Sequence, residues 1–90
     1  MPPYRTLALT SEFLDSLISD AFSAGDRRRF VRALRLLDEN ERHPSLRVHA
    51  LRGDREGQWS ASASDQLRIT FRRLPNGLKE LLECSRHYGD

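Results

Sequence analysis

The spacing of apolar residues changes character along the chain. Residues 4–9, Tyr-Arg-Thr-Leu-Ala-Leu, are short and apolar-rich and predict a strand. Thr10 follows at once as a plausible helix N-cap, with Glu12 in the first turn, where negative charge is favoured. Phe13, Leu14, Leu17, Ile18 and Ala21 then recur at helical spacing. Gly25 is expected to end this helix and Asp26 to cap the next. A second helix over about 27–41 puts Phe30, Val31, Leu34 and Leu37 on one side. Arg28, Arg32 and Arg35 line another face, either as a solvated stripe or as a docking surface for an acidic partner.

After His43-Pro44, which stops the helix, the period falls to two. Leu46, Val48 and Ala50 alternate with Arg47, His49 and Leu51 in a mixed, edge-like pattern. A loop punctuated by Gly53 and Gly57 follows. Trp59, Ala61 and Ala63 alternate with Ser60, Ser62 and Ser64, and Leu67, Ile69 and Phe71 alternate with Arg68, Thr70 and Arg72. Pro75-Asn76-Gly77 is a hairpin signal, and 78–88 is long enough for a last strand.

The hairpin permits a register argument. A two-residue loop at Asn76-Gly77 opposes Ile69 to Cys84, Phe71 to Leu82 and Arg68 to Ser85, with His87 diagonal to Arg68 on the same face. A loop at Ser64-Asp65-Gln66 opposes Ala61 to Ile69 and Trp59 to Phe71, and keeps Ser62 beside Arg68. The predicted architecture is α+β, in the order β-α-α-β-β-β. An N-terminal strand and a helical hairpin pack on one face of a small, mainly antiparallel sheet. The other face is open, polar and Arg-rich. Trp59 and Cys84 are expected in the core, Cys84 as a small hydrophobe rather than a nucleophile.

Composition narrows the function class. Hydrophobic residues at 38% and charged residues at 31% fit one globular domain over residues 1–90. No apolar run approaches the roughly 20 residues of a membrane span, and the N-terminal segment lacks the apolar stretch of a signal peptide. One cysteine cannot form an internal disulfide, which suits a reducing cytoplasm. His43, His49 and His87 have no zinc-like spacing, so neither metal nor cofactor is expected. Net charge is only +2, but Lys79 is the sole lysine and seven arginines stand between Arg42 and Arg73. Arginine's planar fork suits phosphate. The chain closes on Arg86, His87 and Tyr88, a guanidinium, an imidazole and a phenol that suit work on a phosphodiester.

Four pieces in order carry a resemblance to a known family: His49-Ala50-Leu51-Arg52-Gly53, Gly57-Gln58-Trp59-Ser60, Asp65-Gln66-Leu67-Arg68-Ile69-Thr70-Phe71, and His87-Tyr88. Together they resemble the RelE/ParE superfamily of type II toxins, and look closest to its RelE/YoeB-like branch of ribosome-dependent mRNA endonucleases. The resemblance covers about 44–88 well and the N-terminal part in layout only. It implies a RelE-like fold and metal-independent mRNA cleavage in the ribosomal A site, with inhibition of translation. It implies His49 as general base, Arg68 as phosphate ligand, His87 as general acid and Tyr88 as a base-stacking or orienting group. Arg52 would contact phosphate, with Arg47, Arg72 and Arg86 as further RNA-binding candidates. It implies a cognate antitoxin as partner and a toxin–antitoxin hetero-oligomer. Relatives often carry Arg where this chain has Ala61 and Ser62, which implies a cleft poorer in positive charge and a catalytically weakened homologue as one alternative. The other is a ParE-like inhibitor of DNA gyrase, a branch that generally lacks the terminal His-Tyr pair.

Overall fold

The computed structural model describes residues 4–87. Strand β1 is reduced to Leu7–Ala8 within the expected 4–9. Thr10 caps α1, Ser11–Ile18, and its hydroxyl accepts the Phe13 N–H. The helix stops at Ile18, short of Ala21, and a turn carries Phe22 into the core. The next helix, α2, spans Ala24–Glu39. Gly25 therefore lies inside its first turn and does not end α1. Ser23, not Asp26, is the N-cap, and Asp26 sits at N3 in a reciprocal capping box with it. The same Ser-x-x-acid spacing was available in the sequence and outranks the glycine as a boundary signal.

Beyond α2 the chain makes a single 3₁₀ turn, Pro44–Leu46, with Leu46 fully buried, and then β2, which is only His49–Ala50. Arg47 between them takes the left-handed conformation, φ 47°, which breaks the alternation expected over 46–51. Another 3₁₀ turn, Gly53–Arg55, precedes β3, Trp59–Ser62. β4 is Leu67–Arg73 and β5 is Lys79–Arg86. The five strands are ordered β1-β5-β4-β3-β2, one strand more than the expected order counts because of the short β2. Only the β1–β5 pair is parallel.

The β3–β4 register is as expected, with Trp59 opposite Phe71, Ala61 opposite Ile69 and Ser62 opposite Arg68. The β4–β5 register differs at the turn end. Leu74 N–H donates to the Leu78 carbonyl and Gly77 N–H to the Leu74 carbonyl, so the loop has three residues, Pro75-Asn76-Gly77. Gly77 supplies the positive φ, 89°, that such a loop requires. Phe71 consequently opposes Leu81, not Leu82. A bulge between Thr70 and Phe71 on this ladder then takes up one residue and restores Ile69 opposite Cys84 and Arg68 opposite Ser85. The bulge has a packing reason. Leu81 and Cys84 are both buried, yet they are three apart, and strict alternation would send one of them to the wrong face.

The core lies between the two helices and one face of the sheet. Phe13, Phe30, Leu34 and Leu37 meet Ala61, Ile69, Phe71 and Leu81, all nearly or wholly buried, while Phe22 and Phe30 contact edge to face. Trp59 is partly buried, with the Arg73 guanidinium stacked 4.3 Å from its ring. Val31, expected on the inner side of α2, is exposed, as are Leu14 and Ile18 of α1. Short helices over a narrow sheet present a thinner buried stripe than the apolar count suggested.

Candidate active site

The face turned away from the helices carries the candidate site. Along β3, β4 and β5 the outward residues are Ser60 and Ser62, Arg68 and Thr70, and Glu83 and Ser85. The register aligns them in rows: His49, Ser60, Thr70 and Glu83 in one, Ser62, Arg68 and Ser85 in the next. Ser60, Ser62 and Thr70 are short, so the floor is low. The longer side chains of the flanking residues rise around a cleft of about 390 Å³, lined by His49, Leu51, Arg55, Arg68 and His87 among others.

His49 stands at the β2 end of this cleft. Its Nδ1 lies 2.8 Å from the Arg47 carbonyl. A carbonyl only accepts, so in the neutral ring Nδ1 carries the proton and Nε2 keeps its lone pair. That is the tautomer a general base needs.

Arg68 is half-buried at the middle of the cleft. Its Nη1 donates to the Ser64 carbonyl at 2.8 Å and the Leu67 carbonyl at 3.0 Å. These bonds use both Nη1 hydrogens and anchor the guanidinium to the β3–β4 turn. The Nε–Nη2 edge, the fork that fits two oxygens of a phosphate, has no protein partner among the described residues. His87 closes the β5 end. Its backbone N–H donates to the Gln66 carbonyl at 2.6 Å, which continues the ladder one residue past Arg86 and keeps the imidazole diagonal to Arg68.

The remaining candidates separate from this group. Arg86 borders the cleft, but its parity sends the guanidinium to the helix side. There it donates to Asp26 Oδ2 at 2.9 Å and the Ala21 carbonyl at 3.0 Å, 5.5 Å from the Phe22 ring. The Ser23 backbone N–H, and then Arg86 itself, hold the Asp26 carboxyl below its ordinary value. Arg72 pairs with Glu80 at the turn end of the sheet. Arg52 is exposed ahead of the Gly53–Arg55 turn, and Arg47 points into a different groove beside α2. Tyr88 lies outside the described residues.

Two residues escaped the sequence reading. Arg55 sits on an arch between Gly53 and Gly57 and reaches back over the sheet. Its Nη2 donates to Glu83 Oε1 at 2.8 Å and lies 3.4 Å from Thr70 Oγ1, while Nε donates to Gln58 Oε1. Arg55 thus supplies a cleft cation, with Glu83 as its counter-charge. Nothing local marked either one, because they are 28 residues apart and meet only across the sheet. Ala61 also needs correction as a missing cation. It is wholly buried on the helix side, where a guanidinium has no room. Of the two positions, only Ser62 lies on the open face, opposite Arg68. Cys84 is buried, and burial pushes its thiol up to about 12, which excludes an activated thiolate.

No family model matches the sequence, and no curated protein matches it. Solved structures do. YafQ from E. coli strain BL21(DE3) superposes with a TM-score of 0.73 at 14% identity, covering 91% of this chain and 92% of that one. A YoeB/ParE toxin from Agrobacterium tumefaciens gives 0.70 at 20% identity over 93% of this chain and all of the other. A chain of the RelBE2 toxin–antitoxin complex from Mycobacterium tuberculosis gives 0.61 at 19% identity over 96% and 100%. With two helices on one face of a five-stranded sheet and at least 92% of each of these neighbours covered, the chain has the fold of these YafQ, YoeB/ParE and RelBE2 structures.

Proposed function

We propose that this protein is the toxin of a type II toxin–antitoxin pair and acts as a ribosome-dependent endoribonuclease on mRNA. The observation that carries this reading is one cleft lined by His49, Arg68 and His87, in which the His49 Nε2 and the Arg68 Nε–Nη2 fork have no partner among the described residues. The structural neighbours support the toxin role, and two of them, RelBE2 and DinJ–YafQ, are toxin–antitoxin complexes.

The reaction follows from these groups. His49 Nε2 takes the proton of a ribose 2′-OH. The 2′-oxygen attacks the adjacent phosphorus, and the Arg68 fork and Arg55 stabilise the charge that develops on the phosphoryl oxygens. His87, as the imidazolium, gives a proton to the departing 5′-oxygen. The products are a 2′,3′-cyclic phosphate and a 5′-hydroxyl. Tyr88, the next residue in the chain, is the base-stacking candidate in this reading. Cleavage of A-site mRNA would inhibit translation in the cytoplasm until an antitoxin neutralises the protein.

A reconstituted translation reaction tests the reading. The wild-type protein should cut mRNA on ribosomes, and Arg68→Gln and His87→Gln should each cut at least about a hundredfold more slowly. Intact mRNA together with blocked DNA supercoiling by gyrase would replace this reading with the ParE-like one.

A further inference from the structure

The helix side holds β5 at intervals along its length. β5 pairs with β1 only through Lys79 and Glu80. Past that point α1 seals the edge. Thr10 Oγ1 donates to the Leu81 carbonyl at 2.8 Å, and Ser16 Oγ accepts the Cys84 N–H at 2.8 Å. Beyond Cys84, the one hydrogen-bonded tie to the helical layer among the described residues is the Arg86 side chain. From the other side β4 pairs Leu67 with Arg86, and the Gln66 carbonyl accepts the His87 N–H.

The groups that receive Arg86 are themselves fixed by other contacts. Phe22 is buried and meets Phe30 edge to face, with 4.9 Å between ring centroids, which sets the turn that carries the Ala21 carbonyl. Asp26 is locked into the capping box with Ser23 at the start of α2. Arg86 Nη2 donates to both, at 3.0 Å and 2.9 Å. The Arg86 and Asp26 side chains are 26% and 17% exposed, against 46% and 48% for Arg55 and Glu83. Water therefore screens the Arg86 pair less than the pair above the cleft.

His87 is the next residue. Successive side chains of an extended strand point to opposite faces. A guanidinium pinned on the covered face therefore fixes the backbone that turns His87 to the open one. A general acid must lie within hydrogen-bond reach of the leaving oxygen. A misplacement of about 1 Å, caused by a residue away from the chemistry, can cost about a hundredfold in rate. Arg86 makes its bonds on the far side of the sheet from the cleft floor, so it acts on the reaction only through the position of its neighbour.

We propose that Arg86, anchored by Asp26 and the Ala21 carbonyl, is a positioning residue that holds His87 in the cleft. The inference rests on the reading of His87 as general acid in mRNA cleavage. It is tested on ribosomes with the ordinary mRNA and with one that carries sulfur in place of the 5′-oxygen at the bond the wild-type protein cuts. In the second, the 2′-oxygen gives its proton to His49 and bonds to phosphorus as before, but the P–S bond breaks and the thiolate leaves without a proton. Arg86→Met keeps an apolar stem beside Phe22 and removes both anchoring bonds. Its kcat on ordinary mRNA should fall about tenfold or more, with KM little changed, and on the sulfur mRNA it should match wild type. His87→Gln should show the same pattern with a larger loss. In NMR, the His87 amide should exchange at least about tenfold faster in Arg86→Met than in wild type. If that variant does not fold, Arg86→Lys, which keeps a cation for Asp26, takes its place with an expected loss of about threefold or more. The proposal is overturned by a variant that cuts ordinary mRNA like wild type, that is equally slow on both mRNAs, or that leaves His87 exchange unchanged. A sulfur-sensitive loss in His87→Gln alone would leave the reading of the cleft standing without this inference. Intact mRNA with the wild-type protein would overturn both.

Discussion

The helix-covered face and the open face of the sheet are built from alternate residues of the same strands, yet they treat charge in opposite ways. On the covered face a charged side chain must find partners. Arg86 emerges there and is taken up by Asp26, the Ala21 carbonyl and the Phe22 ring. On the open face Arg68, among the described residues, is held through Nη1 alone and lines the cleft. Arg86 sits next to His87 in sequence, and Arg68 is nineteen residues away from it. Strand parity, not sequence proximity, decides which arginine belongs with the histidine.

Four measurements test this contrast, in falling order of size. Phe71 is wholly buried on the covered face, so Phe71→Ala should cost about 3–5 kcal/mol in urea unfolding. His87→Gln should do the reverse. Cleavage on ribosomes should fall at least about a hundredfold, while unfolding stability stays within about 0.5 kcal/mol of wild type. A matching loss of stability would make His87 a structural residue and blur the two faces.

Acid supplies the third measurement. Ser23 and Arg86 depress the Asp26 carboxyl, and the Arg73 guanidinium depresses Glu41. At Asp38 burial pushes the other way, but hydrogen bonds from Thr6 and Arg5 outweigh it and the net shift is downward. A carboxyl depressed by folding adds stability above its unfolded value, and that stability is lost as pH falls through the folded value. The ordinary values are 3.8 for Asp and 4.5 for Glu. Tm should therefore hold from pH 7 to about 5 and drop steeply below about 4. Asp38→Asn should flatten that drop, and an unchanged profile would show that these bonds do not differ between folded and unfolded chains. The smallest effect is expected at Arg72, which pairs with Glu80 at the surface. Arg72→Ala should change stability by no more than about 1 kcal/mol and leave cleavage intact, because the residue lies outside the cleft. A large loss of cleavage would extend the site to the turn end of the sheet.

Much of the candidate site's layout was legible in the sequence. The pairing of Ser62 with Arg68 and of Arg68 with Ser85 followed from hydrophobic matching alone, because a one-residue slip would have exposed Ile69 and buried Arg68. The pairing holds although the loop has three residues, not two. The Pro75-Asn76-Gly77 turn shifts the ladder by one residue, and the bulge near Leu82 shifts it back before the site begins. Local signals cannot reveal such a compensation, since it exists to bring Leu81 and Cys84 to one face. Arg55 and Glu83 were not legible at all. Their ion pair forms across strands, and each alone looks like an ordinary surface charge.

The alternation along β3, β4 and β5, the Thr10 cap and the identity of the groups that could act on a phosphodiester were set by the sequence alone, whereas α2 ends at Glu39, ahead of the stop expected at His43-Pro44. These are short-range properties, set by backbone geometry and side-chain period. Only the tertiary structure decided which arginines join the cleft and where the sheet stops. The bulge, the left-handed turn at Arg47 and the closure of one edge by Thr10 and Ser16 depend on contacts between residues far apart in the chain. Packing and hydrogen-bond satisfaction settle such contacts, because a buried polar group costs too much to be left without a partner.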